Sequence, residues 1–136
     1  MILTAHTDGA SKGNPGDAAI GYTIEKDGIL LEEYCEYIGE ATNNVAEYRA
    51  FIAVLGRMKE LCTDHVVIKS DSELAVRQIN GSYKVKNPGL KPLYNEVMKR
   101  LRAFDSYRVM HVPRNENSKA DHLANRAIAS HRASKR

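Results

Sequence analysis

The chain has 136 residues, 43% hydrophobic and 27% charged, and its 20 Lys and Arg stand against 17 Asp and Glu for a net charge of +3. That length fits one domain, and that composition excludes a wholly disordered chain and a membrane-spanning one. The opening Met1-Ile2-Leu3-Thr4, with His6 and Asp8 close behind, lacks the basic segment and long apolar stretch of a secretory signal, so a cytoplasmic protein is expected.

Ile2 to Asp8 reads as a short apolar strand that stops at Gly9-Ala10-Ser11-Lys12-Gly13-Asn14-Pro15-Gly16, a run of turn formers. Ala18 to Glu25 and Ile29 to Tyr37, separated by Lys26-Asp27-Gly28, form a predicted hairpin, because Asp-Gly supports the positive φ of tight hairpin turns. Past Gly39, Tyr48, Phe51, Ile52, Leu55, Met58 and Leu61 recur at helical spacing, and Thr42-Asn43-Asn44 offers capping side chains just before them. The β-branched run Val66-Val67-Ile68, leading to Ser70-Asp71, predicts a buried strand, and a short helix from Ser72 to Asn80 follows until Gly81 stops it. Pro92 suits the first turn of a helix through Leu93, Val97, Met98 and Leu101. Tyr107 to Val112 is the last predicted strand, and Ser118 is placed to cap a final helix through Leu123, Ala124, Ala127 and Ile128. Residues 1–129 therefore read as one domain, and the loss of periodicity from Ser130 predicts a flexible basic tail over residues 130–136. The order βββαβααβα implies an α/β domain, a mixed sheet covered by helices.

Charge is unevenly spread. Residues 17–40 carry seven acids against Lys26 alone, whereas residues 82–102 carry six cations against Glu96, and residues 122–136 carry Arg126, Arg132, Lys135 and Arg136 against no acid. Such asymmetry suits a protein that meets phosphates with one side, although solvated surface explains it equally well. Cys35 and Cys62 have no C-x-x-C spacing and no nearby His pairing, so both are expected to be reduced packing residues.

Four carboxylates stand out by position. Asp8 and Asp71 each close an apolar strand, while Glu47 and Asp121 lie in the first turns of the long helix and the last helix. Strand ends and helix starts can meet at one edge of a sheet, where a carboxylate cluster repels itself unless hard cations neutralise it. Mg²⁺ takes few protein carboxylates and keeps waters or phosphate oxygens, and two such ions about 3.5–4 Å apart can hold both the attacking and leaving oxygens of a phosphoryl displacement. A structural reading stands beside each acid. Asn44-Val45-Ala46-Glu47 and Ser118-Lys119-Ala120-Asp121 both have capping-box spacing, Asp8 before Gly9 can be a turn residue, and Asp71-Ser72 can simply open the next helix.

The stretches T-D-G-A-S-K-G-N-P-G at Thr7 to Gly16, T-N-N-V-A-E at Thr42 to Glu47, S-D-S at Ser70 to Ser72 and N-S-K-A-D-H-L-A at Asn117 to Ala124 resemble the type 1 ribonuclease H family. They occur in the family's order, and the resemblance runs from Leu3 to Ala129. It implies a ribonuclease H-like five-stranded mixed sheet, order 3-2-1-4-5, flanked by helices, and metal-dependent endonucleolytic cleavage of the RNA strand of RNA/DNA hybrids. Carried over residue by residue, it implies that Asp8, Glu47, Asp71 and Asp121 are the catalytic acids and hold two Mg²⁺ ions, for which Mn²⁺ can substitute. Asp8 would bridge the ions, Asp71 and Asp121 would sit on one and Glu47 on the other, and the products would carry 5′-phosphate and 3′-hydroxyl ends. Glu47 would also accept a hydrogen bond from the ribose 2′-OH, which DNA lacks. Asn14 and Asn43 resemble the family's groove-reading amides, and Thr42 resembles the residue that holds a DNA-strand phosphate; turn and cap geometry are their structural alternatives. The implied partner is an RNA/DNA hybrid, without a membrane, and the protein is expected to act as a monomer.

The chain departs from the family in three places. Many members insert a helix and a basic, Trp-rich loop where only Gly81 to Lys91 intervenes here, Trp is absent, and Lys84, Lys86 and Lys91 remain as the expected electrostatic grip. Many bacterial members place a His on the loop after the last strand, but Val112-Pro113-Arg114-Asn115-Glu116-Asn117 contains none. Arg114 is then expected to approach the scissile phosphate, stabilising charge without serving as a base, with His111 as the alternative. Position 73 is Glu where some members carry Gln, its structural alternative being a solvated first-turn acid. The short form with Val-Pro-Arg before the last helix looks most like the archaeal-type branch. A second reading is a catalytically weak duplex-binding domain with the same fold, although a pure binder gains nothing from clustered negative charge near phosphates.

Overall fold

In the computed structural model, which describes residues 1–61 and 64–135, strands β1 (Ile2–Gly13), β2 (Gly16–Lys26) and β3 (Ile29–Ala41) form an antiparallel meander. Helix α1 (Asn43–Leu61) leads to β4 (His65–Ser70), and α2 (Glu73–Ile79) and α3 (Lys91–Leu101) lead to β5 (Ser106–His111), after which α4 (Ser118–Ser134) follows a single 3-10 turn at Arg114–Glu116. Because β4 pairs parallel to β1 and β5 parallel to β4, the sheet is mixed, with order β3-β2-β1-β4-β5. No helix among the described residues is long and apolar enough to cross a membrane.

Alternation along the strands divides the core. Leu3, Ala5, Ile24 and Ile68 share one cluster with Tyr48, Phe51, Val54, Leu55 and Met58 of α1, all essentially removed from solvent. Neighbouring positions point to the opposite face, where α4 lies on small residues, with Ala127 and Ile128 packing on Ala19. Ser72 caps α2 by accepting from the Ala75 N–H, and Pro92 sits in the first turn of α3, as its missing donor allows.

Four expectations change. β1 does not stop at Asp8 but runs to Gly13, because the β1–β2 ladder continues to the pair Gly13↔Gly16 and the chain reverses only at Asn14-Pro15. β3 likewise runs past Tyr37 to Ala41. Ser118 does not cap α4: Asn117 takes the N-cap position, and the Ser118 hydroxyl donates to the Asn115 carbonyl instead. Residues 130–134 are no flexible tail but the last turns of α4, tied down where the His131 ring stacks on Tyr37 at 3.5 Å between centroids and Arg132 Nε donates to Asp17 Oδ2 at 2.9 Å. Cys35 is a free, half-buried thiol; Cys62 lies outside the described residues.

Candidate active site

The site forms where the sheet changes from antiparallel to parallel. The β1–β4 ladder ends at Thr7↔Ser70, so Asp8 and Asp71 each stand one residue beyond the last pair. Past that point β1 has no β4 residue beside it, and the Gly9 N–H donates to Glu47 Oε1 at 2.5 Å. Glu47 can come this close only because position 9 is bare, since a Cβ there would collide with the backbone of Ala46 and Glu47. On the other face, Gly21 pairs with Asp8 across β1 and β2, and a Cβ on it would lie 2.7 Å from the Ala124 nitrogen. Two glycines thus let α1 and α4 close on opposite faces of the sheet, delivering Glu47 and Asp121 to the same end. Neither acid caps its helix. Among the described residues the Glu47 carboxylate accepts from the Gly9 N–H and the Asp121 carboxylate from Asn125 Nδ2, while Thr42 Oγ1 accepts from Val45 N at the start of α1.

One carboxylate oxygen from each of Asp8, Glu47 and Asp71 lies within 4.8 Å of the other two. Asp8 and Glu47 are each only 5% exposed. Burial, then the charges of Glu47, Asp71 and Asp121, push the Asp8 carboxyl far above the usual carboxylate range. Burial likewise raises Glu47, helped by Asp71 and Asp121 and opposed by hydrogen bonds from Gly9 and Ser72. These acids form one wall of a polar cleft of about 320 Å³ that Asp121 also lines. An all-oxygen, mutually repelling donor set of this kind fits a hard divalent cation such as Mg²⁺.

Two asparagines that sequence reasoning left without a role hold the outer acids. Asn117 Nδ2 donates to Asp71 Oδ1 at 3.2 Å, and Asn125 Nδ2 donates to Asp121 Oδ1 at 3.1 Å. Asn125 is legible as an i,i+4 partner of Asp121 on one helix face; Asn117 opens the Asn117-Ser118-Lys119-Ala120-Asp121 stretch, where spacing alone reads as loop.

The remaining candidates divide. Asn43 and Arg114 line the acidic cleft, as does Lys12; the Arg114 side chain is 80% exposed, with Nη2 3.8 Å from Asp121 Oδ1. Asn14 Oδ1 accepts from the Asn43 N–H at 3.0 Å, pinning the β1–β2 turn to the start of α1. Asn14 and Thr42 line a separate cavity of about 380 Å³ together with Asn87, a residue not singled out from sequence. Lys84 and Lys91 flank another hollow beside Tyr83, while Lys86 is exposed and lines none of these. His111 ends β5 opposite Ser70, exposed and outside the cleft lining. Glu73 is an exposed first-turn acid whose carboxylate lies 3.7 Å from Arg77, one turn along α2.

Comparison with known proteins agrees with this geometry. A reverse transcriptase-like family model matches residues 6–127. Ribonuclease HI of Halobacterium salinarum is 40% identical over 125 residues, covering 91% of this chain. The chain spans 63% of that relative's length and 36% of the length of the mycobacterial relatives it matches. The crystal structure of ribonuclease H1 from the same archaeon superposes with a TM-score of 0.93 at 38% identity, covering 96% of this chain and 99% of that one. LC11 ribonuclease H1, solved in complex with an RNA/DNA hybrid, gives a TM-score of 0.90 at 40% identity, covering 94% of this chain and 97% of that one. With the strand order, the acid geometry and these likenesses in agreement, the chain belongs to the type 1 ribonuclease H family.

Proposed function

We propose that the protein is a divalent-metal-dependent endoribonuclease that hydrolyses the RNA strand of RNA/DNA hybrids by a two-metal-ion mechanism, leaving 5′-phosphate and 3′-hydroxyl ends. The observation that carries this reading is the convergence of Asp8, Glu47 and Asp71 oxygens within 4.8 Å, in a pocket that otherwise penalises the charge of Asp8 and Glu47. Asp8, Asp71 and Asp121 would hold one Mg²⁺ and Asp8 with Glu47 the other, with Mn²⁺ able to replace either. When bound, the cations supply a water deprotonated near neutral pH and neutralise charge on the scissile phosphate.

The chain's own groups do the rest. Glu47 accepts the ribose 2′-OH, so that an RNA strand is distinguished from DNA. Asn14 spends its carbonyl on the Asn43 N–H, and the Thr42 oxygen accepts from Val45; among the described residues the Asn14 amide and the Thr42 hydroxyl proton have no acceptor. These donors, with Asn87 across the same cavity, suit a phosphate of the DNA strand. Asn43 reads the groove beside the cleft, and Arg114 reaches the scissile phosphate with a permanent charge. Lys84, Lys86 and Lys91 meet the backbone further along. All four acids come from one chain, so a monomer suffices, acting in the cytoplasm, with the domain expected over residues 1–129 extended by the last turns of α4 to Ser134. The structure of LC11 ribonuclease H1 with a hybrid supports the choice of substrate.

Incubation with labelled RNA/DNA hybrid, double-stranded RNA and double-stranded DNA, each with Mg²⁺, Mn²⁺ or a chelator, tests this. Metal-dependent cleavage of the RNA strand of the hybrid, with 3′-hydroxyl ends that a polymerase extends, is expected. Hybrid binding without cleavage under any metal would instead support the duplex-binding alternative.

A further inference from the structure

Asn117 is 1% exposed and sits at the N-cap of α4, a position where an Asn side chain ordinarily accepts a helix N–H. It makes no such bond. Its side chain turns away from the helix, and the two hydrogens of one amide serve two acceptors: Thr7 O at 2.8 Å, next to Asp8, and Asp71 Oδ1 at 3.2 Å. Its backbone carbonyl accepts the Asp121 N–H at 3.1 Å. One residue therefore touches the strand that carries Asp8, the Asp71 carboxylate and the turn that carries Asp121. We propose that Asn117 is a positioning residue for the acidic site, fixing the Asp71 carboxylate relative to Asp8 and Asp121 so that the three acids present their oxygens together to a divalent cation. This rests on the reading that the cluster binds metal.

The chemistry of the position leaves few substitutes. An Asp would add a like charge beside Asp71 and remove both donors, and a Ser has only one hydrogen to share between two acceptors. The helix gives up a cap bond, and Asn117 Oδ1 is left buried without a hydrogen-bond partner among the described residues. Both are costs to stability, so the amide's placement is better explained by what it does for Asp71 than by what it does for α4.

The test measures metal binding directly. Isothermal titration of Mn²⁺ into the substrate-free protein should show Asn117→Ala losing affinity about tenfold or more, the range expected when a group orienting a ligand is removed. On hybrid in Mg²⁺, kcat should fall by a similar factor, KM should stay within about twofold, and excess metal should restore part of the rate. In an Asp71→Asn background, Asn117→Ala should add little further loss of Mn²⁺ affinity, because its partner is already altered. A folded Asn117→Ala with parental affinity, or losses that simply add in the double variant, overturns the proposal. Should alanine at 117 prevent folding, the parent protein decides. Its Asn117 side-chain NH₂ resonances should exchange slowly and move with Mg²⁺ at the midpoint of metal binding; resonances indifferent to metal overturn it. If Mn²⁺ binding depends on Asn117 but hybrid is not cleaved, the hydrolase reading fails and this inference stands. If hybrid is cleaved and Asn117→Ala binds Mn²⁺ as the parent does, the inference fails alone.

Discussion

A buried carboxyl group surrounded by other carboxylates must either bind a cation or take up a proton, and Asp8 faces that choice most sharply. Its pKa in the folded, metal-free protein lies above its unfolded value, chiefly through burial and then through Glu47 and Asp71. In chelator the parent should therefore lose stability as pH rises from about 4, where unfolded Asp deprotonates, through the raised folded pKa. Asp8→Asn keeps the shape without the charge. Its cleavage activity should vanish, while its stability advantage in chelator should be near zero at pH 4 and reach at least about 1 kcal/mol at pH 7. Urea melts across that range check this, and a gap that narrows with rising pH refutes it. Arg114 presents the opposite case, a fixed cation on the exposed rim. Arg114→Ala should lower kcat by about tenfold or more without moving the pH profile, and Arg114→Lys should recover part of the loss. His111→Ala should change little; if it instead flattens a pH dependence near the imidazole pKa of about 6.5, the proton-transfer role belongs to His111.

Elements reach the site only as closely as the sheet lets them. Gly21 meets backbone atoms of α4, and backbone cannot rotate aside as a side chain can, so Gly21→Ala should displace α4 and move Asp121 with it. A stability loss of about 1–3 kcal/mol with an additional fall in kcat is expected; a variant as stable and active as the parent would show that α4 is not seated as described. These same glycines explain which parts of the fold were legible. The helical spacing of Tyr48, Phe51, Leu55 and Met58 and the β-branched run before Ser70 report local periodicity, and α1 and β4 lie where that periodicity puts them. Gly9 and Gly16 read as turn formers because composition cannot tell a glycine needed for reversal from one needed for close approach, and so β1 is longer than expected. The end of α4 was missed for a related reason: Tyr37, Asp17, His131 and Arg132 meet only after folding, and no window of sequence contains both halves of those contacts. The four acids were legible through motifs, whereas the amide that holds Asp71 depends on a side-chain direction that spacing does not encode.

Across the whole molecule, the sign of charge is sorted by place and by pairing. The acidic stretch of residues 17–40 forms β2 and the edge strand β3, and several of its carboxylates are already answered: Glu32 takes Arg57 through two donors, Lys119 lies 3.2 Å from Glu33, and Arg132 binds Asp17. With seven acids against Lys26 alone, that stretch suits a polyanion poorly. Lys84, Lys86 and Lys91 are exposed, and among the described residues none of them is in an ion pair, so their charge remains available for phosphates. Contacts of this kind release condensed counterions, which makes affinity fall linearly with salt on a log–log scale, by ~0.9 per phosphate contact for a B-form duplex. Neutralising the three lysines to Gln should therefore do two things to hybrid binding. Affinity should weaken most at low salt, and the salt slope should become shallower by up to ~0.9 for each lysine that contacts a phosphate. Since none of the three lines the acidic cleft, KM should rise while kcat stays close to the parent value. Filter binding or fluorescence anisotropy from 50 to 200 mM salt, beside steady-state kinetics, checks both. If the triple variant binds hybrid as tightly as the parent at every salt concentration, the grip lies elsewhere, and Lys12 and Arg114 at the cleft become the cations to neutralise next.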